Sequence, residues 1–375
     1  MDRRRFLLTG AAGVAALAAS CGGDEASPTS PAAVATPAGP VPGFEDPRRW
    51  AGRTLRVGAW GGEVQAALRT AVWQPFAAAT GCAIEEVETD YARLDESIRA
   101  AQTLADLVLV DPFWAESAAG QAATQPLGLA GLAPEAAETF GGNDAGVPAF
   151  AYALVGAYRR DGVPEDGPPA SWREWWDIER YPGPRALARD AFGTFEFALL
   201  ADGVEPDALY PLDGARAIEA LKEISGRIVE RWWDSGSEPV HWLGSARADL
   251  ASSWHYRVIA GQRDGLGVDF DWSQGLVVAD RWVVPVGARE PDVAVDLVRY
   301  AMAAETQAAL ARAVPLGPVN PSAFRFLDGA TAAMAPTAPS NLERLLRPDV
   351  AWWVANRGDA MQRFNGWLLG TPGGR

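Results

Sequence analysis

The stretch that decides the fold is LVVADRWVVP, residues 276–285. Its β-branched side chains predict a buried strand that ends at the proline. Asp280 lies in the middle of this strand, and burying an ionised carboxylate is costly unless a cation or hydrogen-bond donors compensate. Arg281 follows directly, but neighbours on a strand point to opposite faces, so it does not face Asp280. The sequence therefore predicts another partner for this carboxylate, either a ligand or backbone N–H groups that cap it.

The amino-acid composition indicates which kinds of molecule the protein binds. The chain has 375 residues, a formal net charge of −15 and a hydrophobic content of 48%, which is enough for two lobes with a core each. The acidity disfavours nucleic acid and suits a cationic ligand. Sixteen tryptophans indicate either large cores or an aromatic cleft. The two Cys and two His form no metal-site pattern, so no cofactor is expected.

Residues 1–20 have the features of a targeting segment. Residues 3–7, RRRFL, match the twin-arginine (Tat) pattern, and the apolar run at 7–19 is too short to span a bilayer. Cys21 follows, as in a bacterial lipoprotein signal, where it would be lipidated; Ala18 departs from that pattern, which prefers a larger aliphatic residue. We expect export and a lipid anchor at the outer face of the cytoplasmic membrane or in the periplasm. Ordinary secretion, with Cys21 incidental, is the alternative.

Residues 21–50 predict a flexible tether between this anchor and a globular domain. The segment is rich in Ala, Pro, Ser, Thr and Gly and has no periodic apolar pattern. Such a composition cannot bury enough surface to offset the entropy of ordering. The globular domain would therefore work next to a membrane.

From residue 54 onward the pattern predicts alternating strands and helices. A short strand at 55–60 is followed by apolar residues at steps of four, one face of a helix that Pro75 breaks or kinks. Leu107–Val110 is a continuous apolar run, typical of a central parallel strand. Asp111 and Phe113 follow its carboxyl end, where open α/β sheets bind ligands.

The later chain predicts a second lobe. Residues 146–158 are extended and cross into it, residues 253–259 predict a strand, and Ile218, Leu221 and Ile228 mark a long helix. Further helices are predicted over 292–313 and 342–368. The strand around Asp280 would then return the chain to the first lobe.

Twelve short motifs occur along this sequence in the same order as in one protein family. They are WGG (60–62), PF (75–76), TG (80–81), DLV (106–108), SW (171–172), YPG (181–183), ALLADG (198–203), WVVP (282–285), GA (287–288), GPVN (317–320), PT (336–337) and WW (352–353). In this order they resemble the extracellular solute-binding proteins of polyamine (spermidine/putrescine) ABC importers. The resemblance implies a type II periplasmic-binding fold, with two α/β lobes around a ligand cleft. Residues 51–152 with 280–325 would form lobe 1, and 153–279 with 326–375 lobe 2.

The resemblance also implies the site. The matching positions are Trp60, Asp111, Phe113, Asp190, Trp254 and Asp280. Asp190 and Asp280 match carboxylates that bind amines, the three aromatic residues match the cleft lining, and Asp111 falls where relatives have a small hydroxyl. Gly193 and Val278 depart from the spermidine binders, which have Glu and Trp there, and Leu316 replaces an aromatic residue.

The chemistry of a diamine agrees with these residue types. Ammonium groups favour carboxylates and aromatic faces, and the methylene groups between them need apolar surface. For each tryptophan taken singly, core packing is the alternative. The function implied is capture of a polyamine-like solute by a monomeric binding protein, which delivers it to a membrane permease and its ATPase and is not an enzyme.

Two other functions remain open at this point. A protein of the same fold could bind a sugar or an organic anion, with Arg189 or Arg281 holding the anion; iron is set aside, since no two of the seven tyrosines adjoin. A lipoprotein hydrolase would use Asp190 and Asp280 as paired general acid and base, without support from any motif.

Overall fold

The computed structural model describes residues 40–100, 102–129, 134–225 and 229–370. The predicted targeting segment, Cys21, most of the tether and Ile228 lie outside these ranges. Within them, no helix combines the length and the apolar character needed to cross a membrane.

Nine strands are described. They are β1 (Thr54–Ala59), β2 (Ala83–Glu88), β3 (Leu107–Val110), β4 (Thr124–Gln125), β5 (Val147–Arg159), β6 (Arg185–Ala188), β7 (Val229–Trp233), β8 (Leu250–Trp254) and β9 (Val268–Pro285).

The α-helices of the described ranges surround these strands. They are α1 (Gly62–Leu68), α2 (Gln74–Thr80), α3 (Tyr91–Arg99), α4 (Pro112–Glu116), α5 (Ala118–Ala123), α6 (Pro134–Phe140), α7 (Trp172–Trp176), α8 (Ala191–Ala201), α9 (Gly214–Ile224), α10 (Glu238–Gly244), α11 (His255–Arg263), α12 (Pro291–Met302), α13 (Ala304–Ala313), α14 (Gly329–Ala333), α15 (Pro339–Leu342) and α16 (Val350–Leu368).

One sheet runs through the molecule in the order β2-β1-β3-β9-β5-β8-β6-β7, and β4 pairs with β9. Strands β2, β1 and β3 are parallel to one another, and so are β8, β6 and β7. The long strands β5 and β9 pair antiparallel between these two groups. The predicted α/β class is confirmed, and residues 276–285 are the second half of β9.

Two large hydrophobic clusters lie on the two groups of strands, and β5 and β9 contribute to both. The first includes Leu55, Trp73, Phe76, Leu107 and Leu297. The second includes Trp172, Phe195, Leu221, Leu250 and Phe364. Each fully buried side chain of Leu or Phe size contributes about 1.5–3 kcal/mol. Core packing is therefore the role of these tryptophans, whereas Trp60 is 38% exposed.

Aspartates begin several helices. Asp111 caps α4, Asp190 caps α8, and Asp349 caps α16, each by accepting a hydrogen bond from a backbone N–H of the first turn. These N–H groups have no partner inside the helix, so each cap contributes about 0.5–2 kcal/mol. The helix beginnings thus fix the positions of two predicted site residues.

The strand predicted over 253–259 is wrong beyond Trp254, because residues 255–263 form α11. The ring of His255 accepts a hydrogen bond from the Ala153 N–H at Nδ1, and its Nε2 lies 2.6 Å from the carbonyl oxygen of Pro315. Val258 and Ile259 are buried in the following turn. Short apolar runs do not distinguish a buried strand from a buried helix.

Other helix boundaries differ from the prediction. Pro75 does not end the helix, because the helical backbone continues from α1 through a π-helical segment, Arg69–Trp73, into α2; the irregular turn lies directly before the proline. The predicted helix 292–313 is interrupted at Ala303, which is extended. The last long helix begins at Val350.

The chain packs onto the first cluster before the predicted end of the tether. Val41 is buried, and Phe44 contacts the rings of Phe76 and Tyr300. The indole N–H of Trp50 donates to the Asp296 carboxylate at 3.0 Å. Residues 41–50 therefore belong with the globular part, although the composition had placed them in the tether.

Candidate functional site

Asp280 is almost fully buried in β9 and has a single hydrogen-bond donor. The hydroxyl of Tyr152, on the neighbouring strand β5, donates to its Oδ1 at 2.7 Å. Among the described residues no backbone N–H bonds to this carboxylate, so the capped alternative is not what the structure shows. Burial raises the pKa of Asp280 to about 7; the Tyr152 bond lowers it, and the negative charge of Asp111 raises it further.

Arg281 lies on the other face of β9, as the alternation of a strand requires. Its guanidinium is fully buried, contacts Glu116 at 3.2 Å and donates to the carbonyl oxygens of Ala279 and Phe140. It neither bonds to Asp280 nor opens toward a ligand. Arg281 is therefore excluded as the anion-binding residue of a cleft.

Asp111 ends β3 beside Asp280. Its Oδ1 accepts from the Trp114 N–H at 2.7 Å, and its Oδ2 accepts from the hydroxyl of Tyr91. The Tyr91 hydroxyl in turn accepts from the Asp111 N–H at 2.9 Å. No cation of the described chain forms an ion pair with Asp111 or Asp280.

The two tyrosines and two aspartates interact as one group, which we call the acidic cluster: Tyr91, Asp111, Tyr152 and Asp280. Burial raises the pKa values of both tyrosines well above 10, and the two carboxylates raise them further. The hydroxyls therefore stay protonated and donate hydrogen bonds. The cluster holds two carboxylates in a low-dielectric setting that favours a cation.

Aromatic rings flank the acidic cluster. The ring of Trp60 lies 4.5 Å from that of Tyr91, and the ring of Trp254 lies 5.1 Å from that of Tyr152. Trp114 stacks on Tyr91 from another side at 6.5 Å. The predicted residues Trp60, Asp111, Trp254 and Asp280 are thus brought together, by two tyrosines that were not among the predicted site residues.

Asp190 and Phe113 lie around Arg357, near enough to the acidic cluster that the charge of Asp111 also raises the pKa of Asp190. The Arg357 guanidinium donates to Asp190 Oδ2 at 2.8 Å and lies 5.7 Å from the Phe113 ring. Burial raises the pKa of Asp190, while Arg357 lowers it. Asp190 therefore already has a cationic partner within the chain, in contrast to Asp280.

Arg257 is a basic residue of the site that the sequence analysis did not select. It lies in the first turn of α11, three residues after Trp254, with its guanidinium 5.4 Å from the Tyr256 ring and 3.4 Å from Glu63. Its Nε is buried and has no hydrogen-bond partner among the described residues. The sequence predicted a strand over 253–259, whereas Arg257 lies in the helix that the structure has there, so no local pattern pointed to it.

Tyr256 connects Arg257 electrostatically with the acidic cluster. Burial raises its pKa; Glu63 and Asp280 raise it further, whereas the charge of Arg257 and a hydrogen bond with it lower it. The hydroxyl of Tyr256 therefore lies within reach of the fields of both Arg257 and Asp280. Arg189, the other predicted anion binder, is 3.8 Å from Asp234.

The site offers hydrogen-bonding and electrostatic groups rather than metal ligands. Within the described ranges no group of three or more His, Cys, Asp or Glu side chains could hold a metal ion. The arrangement offers negative charge at the acidic cluster, a guanidinium at Arg257 and the rings of Trp60 and Trp254 against the two tyrosines, groups that attract an ammonium and a carboxylate.

Comparison with known proteins identifies the family. A profile of the family described as bacterial extracellular solute-binding protein matches residues 71–340, more than half of the chain. The gamma-aminobutyric acid-binding protein of Pseudomonas aeruginosa is 28% identical over 323 residues, which cover 84% of this chain and 91% of that protein.

Solved structures of solute-binding proteins are similar to this chain over most of its length. An ABC transporter substrate-binding protein from Bradyrhizobium japonicum USDA 110 is 29% identical with a TM-score of 0.78, over 84% of this chain and 99% of that one. A GABA receptor structure is 30% identical with a TM-score of 0.75, over 84% of this chain and 97% of that one.

These relatives settle the class predicted from the sequence. They share the periplasmic-binding architecture and are solute-binding proteins, so the prediction that the chain is not an enzyme is confirmed and the hydrolase alternative is removed. The family also implies an exported protein. The chain belongs to the bacterial extracellular solute-binding proteins, the components of ABC transporters that bind the solute.

Proposed function

We propose that the protein captures a small solute through an ammonium group held by Asp111 and Asp280. The observation that carries this proposal is the acidic cluster: the buried Asp280 and the half-buried Asp111 each accept a hydrogen bond from a tyrosine hydroxyl, and neither forms an ion pair with a cation among the described residues. Leaving a buried carboxylate without a cation is unfavourable. A ligand ammonium would supply the missing charge, with the rings of Trp60 and Trp254 beside it.

The ligand class that fits best is a short amino acid with its amine far from its carboxylate, such as GABA. Arg257 would take the carboxylate, because its contact with Glu63 is long, at 3.4 Å, and its side chain is partly exposed. Arg357 is less suited, since Asp190 already occupies it at 2.8 Å. Two relatives are named for GABA, which supports this ligand class.

A polyamine, as the sequence resemblance implied, is the second candidate. Its second ammonium group would need a second carboxylate, and Asp190 is the residue predicted for that role. Arg357 would have to leave Asp190 before an ammonium could bind there. That displacement makes a diamine less favourable than a ligand with one amine and one carboxylate.

The proposal includes the two lobes predicted from the sequence, residues 51–152 with 280–325 and residues 153–279 with 326–375. The two parallel groups of strands, joined by β5 and β9, support this division. The lobes would close on the ligand, because closure desolvates its charged ends. Export through the twin-arginine segment, lipidation of Cys21 and a monomeric state remain predictions, as does delivery to a permease with its ATPase.

A panel of four-carbon ligands tests the ligand class directly. Titration calorimetry would compare GABA, putrescine, butylamine and succinate with the purified protein. We expect GABA to bind tightest, butylamine weakly and succinate not at all, because only GABA matches both the acidic cluster and Arg257. Tight binding of putrescine with none of GABA would favour the polyamine instead, and tight binding of succinate alone would contradict an ammonium site.

A further inference from the structure

Phe113 follows a strand that packs in the first hydrophobic cluster, but its own side chain is buried in the second. It lies on α4, directly after β3, whose Leu107 and Leu109 pack in the first hydrophobic cluster. Phe113 itself belongs to the second cluster and is 9% exposed. Its ring lies 4.9 Å from that of Phe192 and 6.4 Å from that of Trp353, both edge to face.

The socket for this ring is formed by α8 and α16. Its walls are Phe192, Trp353 and the guanidinium of Arg357, which Asp190 holds by the 2.8 Å hydrogen bond.

A buried carboxylate holds the socket from behind. Glu196 accepts from the indole N–H of Trp353 at 2.7 Å, from the hydroxyl of Tyr210 at 2.7 Å and from the Gly193 N–H at 2.9 Å. Gly193 has a φ of +80° at a kink within α8, which turns Phe192 toward α16. The socket is therefore fixed by its own hydrogen bonds, independently of α4.

We propose that Phe113 and this socket form a latch that holds the two lobes closed over the ligand. Asp111, two residues before Phe113, caps the same helix and is held beside Asp280 by the pairing of β3 with β9, so α4 connects the latch to the acidic cluster. Phe113 is then a positioning residue rather than the ligand contact that the sequence resemblance implied. This inference rests on the proposed capture between two lobes.

A latch and a ligand contact have different consequences. A contact that exists only in the closed state shifts the equilibrium between open and closed forms by the same amount whatever the ligand. Removing it therefore lowers the affinity for every ligand by one common factor. A side chain that touches the ligand changes the affinities unequally, according to ligand length and shape.

The test uses Phe113→Ala and the milder Phe113→Leu in the full chain. Phe364→Leu is the matched control, since Phe364 is fully buried within the second cluster and lies in neither the latch nor the proposed site. Affinities for 3-aminopropionate, GABA and 5-aminopentanoate are measured by calorimetry, and the radius of gyration by small-angle scattering without ligand. We expect Phe113→Ala to weaken all ligands by one factor of about tenfold, the loss of an aromatic contact.

The scattering result decides the latch even if no ligand of the panel binds. Unliganded Phe113→Ala is expected to be more expanded than the wild type, Phe113→Leu to shift in the same direction by less, and Phe364→Leu to match the wild type. Affinity losses that differ between the three ligands, or equal radii for wild type and both Phe113 variants, would overturn the latch. Absence of binding to the wild type would instead count against the proposed function.

Discussion

Two buried carboxylates with the same raised pKa have opposite surroundings. Burial raises the pKa to about 7 for both Glu196 and Asp280. Glu196 accepts three hydrogen bonds from Tyr210, Trp353 and Gly193, whereas Asp280 accepts one, from Tyr152. The difference teaches that a displaced pKa alone does not mark a functional residue. What separates the two is the number of partners that the chain itself provides.

On this account Asp280 has a place for an external cation and Glu196 does not. Asp280 lies beside a second carboxylate, Asp111, and beside the exposed ring system that includes Trp60. Glu196, on α8, is fully buried and accepts a hydrogen bond from Trp353 on α16. Substitution at Asp280 should therefore act on binding, and substitution at Glu196 on folding.

The largest expected effect is that of Asp280→Asn on binding. The variant keeps the shape but leaves the ligand ammonium with a neutral amide, which costs about 2–5 kcal/mol for a buried charged pair. This corresponds to a loss of roughly thirty- to several-thousand-fold in the affinity for GABA, measured by calorimetry. Its melting temperature should not fall at neutral pH, because the neutral amide avoids the cost of ionising a buried carboxylate. A lowered melting temperature with unchanged affinity would make Asp280 a structural residue like Glu196.

Arg257→Gln should have the next largest effect and should depend on the ligand. A hydrogen bond to a charged group contributes about 1.5–3 kcal/mol, so the affinity for GABA should fall by roughly ten- to 150-fold. Butylamine, which lacks a carboxylate, should bind the variant and the wild type equally in the same calorimetric assay. An equal loss for both ligands would show that Arg257 does not bind the carboxylate.

Glu196→Gln tests whether Glu196 acts on folding rather than on binding. The amide keeps one acceptor oxygen but places an NH₂ group where the carboxylate accepts, so at least one buried N–H loses its partner. We expect the free energy of unfolding to fall by about 1–3 kcal/mol, measured by urea titration. Tyr210→Phe, which removes one donor and keeps the carboxylate, is the control and should cost less. A Glu196→Gln affinity loss as large as that of Asp280→Asn would contradict the distinction.

Taken over a single pH unit, the smallest expected effect is a pH dependence of binding. Asp280 must be ionised to pair with an ammonium group, and its pKa is about 7 without ligand. The affinity should therefore fall as the pH is lowered through 7, by up to about tenfold per pH unit. Asp280→Asn should abolish this dependence in calorimetry over the same range. An affinity that is constant between about pH 5 and 8 would show that the carboxylate does not titrate with binding.

The free energy of unfolding of the unliganded protein should depend on pH in the opposite direction to the affinity, falling as the pH rises. Because folding raises the pKa of Asp280 above its ordinary value of 3.8, the contribution of this group is fully present at acid pH. It is lost as the pH rises through 7. Glu196 acts with the same sign, so the comparison of wild type with Asp280→Asn isolates the share that belongs to the site.

The sequence predicted the central strand and the neighbourhood of the site, because both depend on local pattern. Continuous β-branched runs predicted β3 and the second half of β9, and residues at the ends of such strands are drawn to one edge of a sheet. The strand-end rule selected Asp111 and Phe113, the buried position in a strand selected Asp280, and the family resemblance added Trp60 and Trp254. Their role in binding stays a prediction.

The sequence could not predict which distant residues contact the site residues. Tyr152 reaches Asp280 across the pairing of β5 with β9, 128 residues apart in the chain. Arg357 reaches Asp190 over 167 residues. Lateral pairing and helix packing create such contacts, and no local period records them. The sequence therefore predicted the same amine-binding role for Asp190 and Asp280. The structure distinguishes them, because Arg357 forms an ion pair with Asp190 and no cation of the described residues does so with Asp280.

The most direct measurement of the central claim is a crystal structure of the protein with GABA. The account predicts that the ammonium nitrogen lies within about 3.2 Å of carboxylate oxygens of both Asp111 and Asp280, the range of a charge-assisted hydrogen bond. The ligand carboxylate should face the guanidinium of Arg257. A ligand bound in the reverse orientation, or with its amine on Asp190, would contradict the assignment of the acidic cluster as the ammonium site.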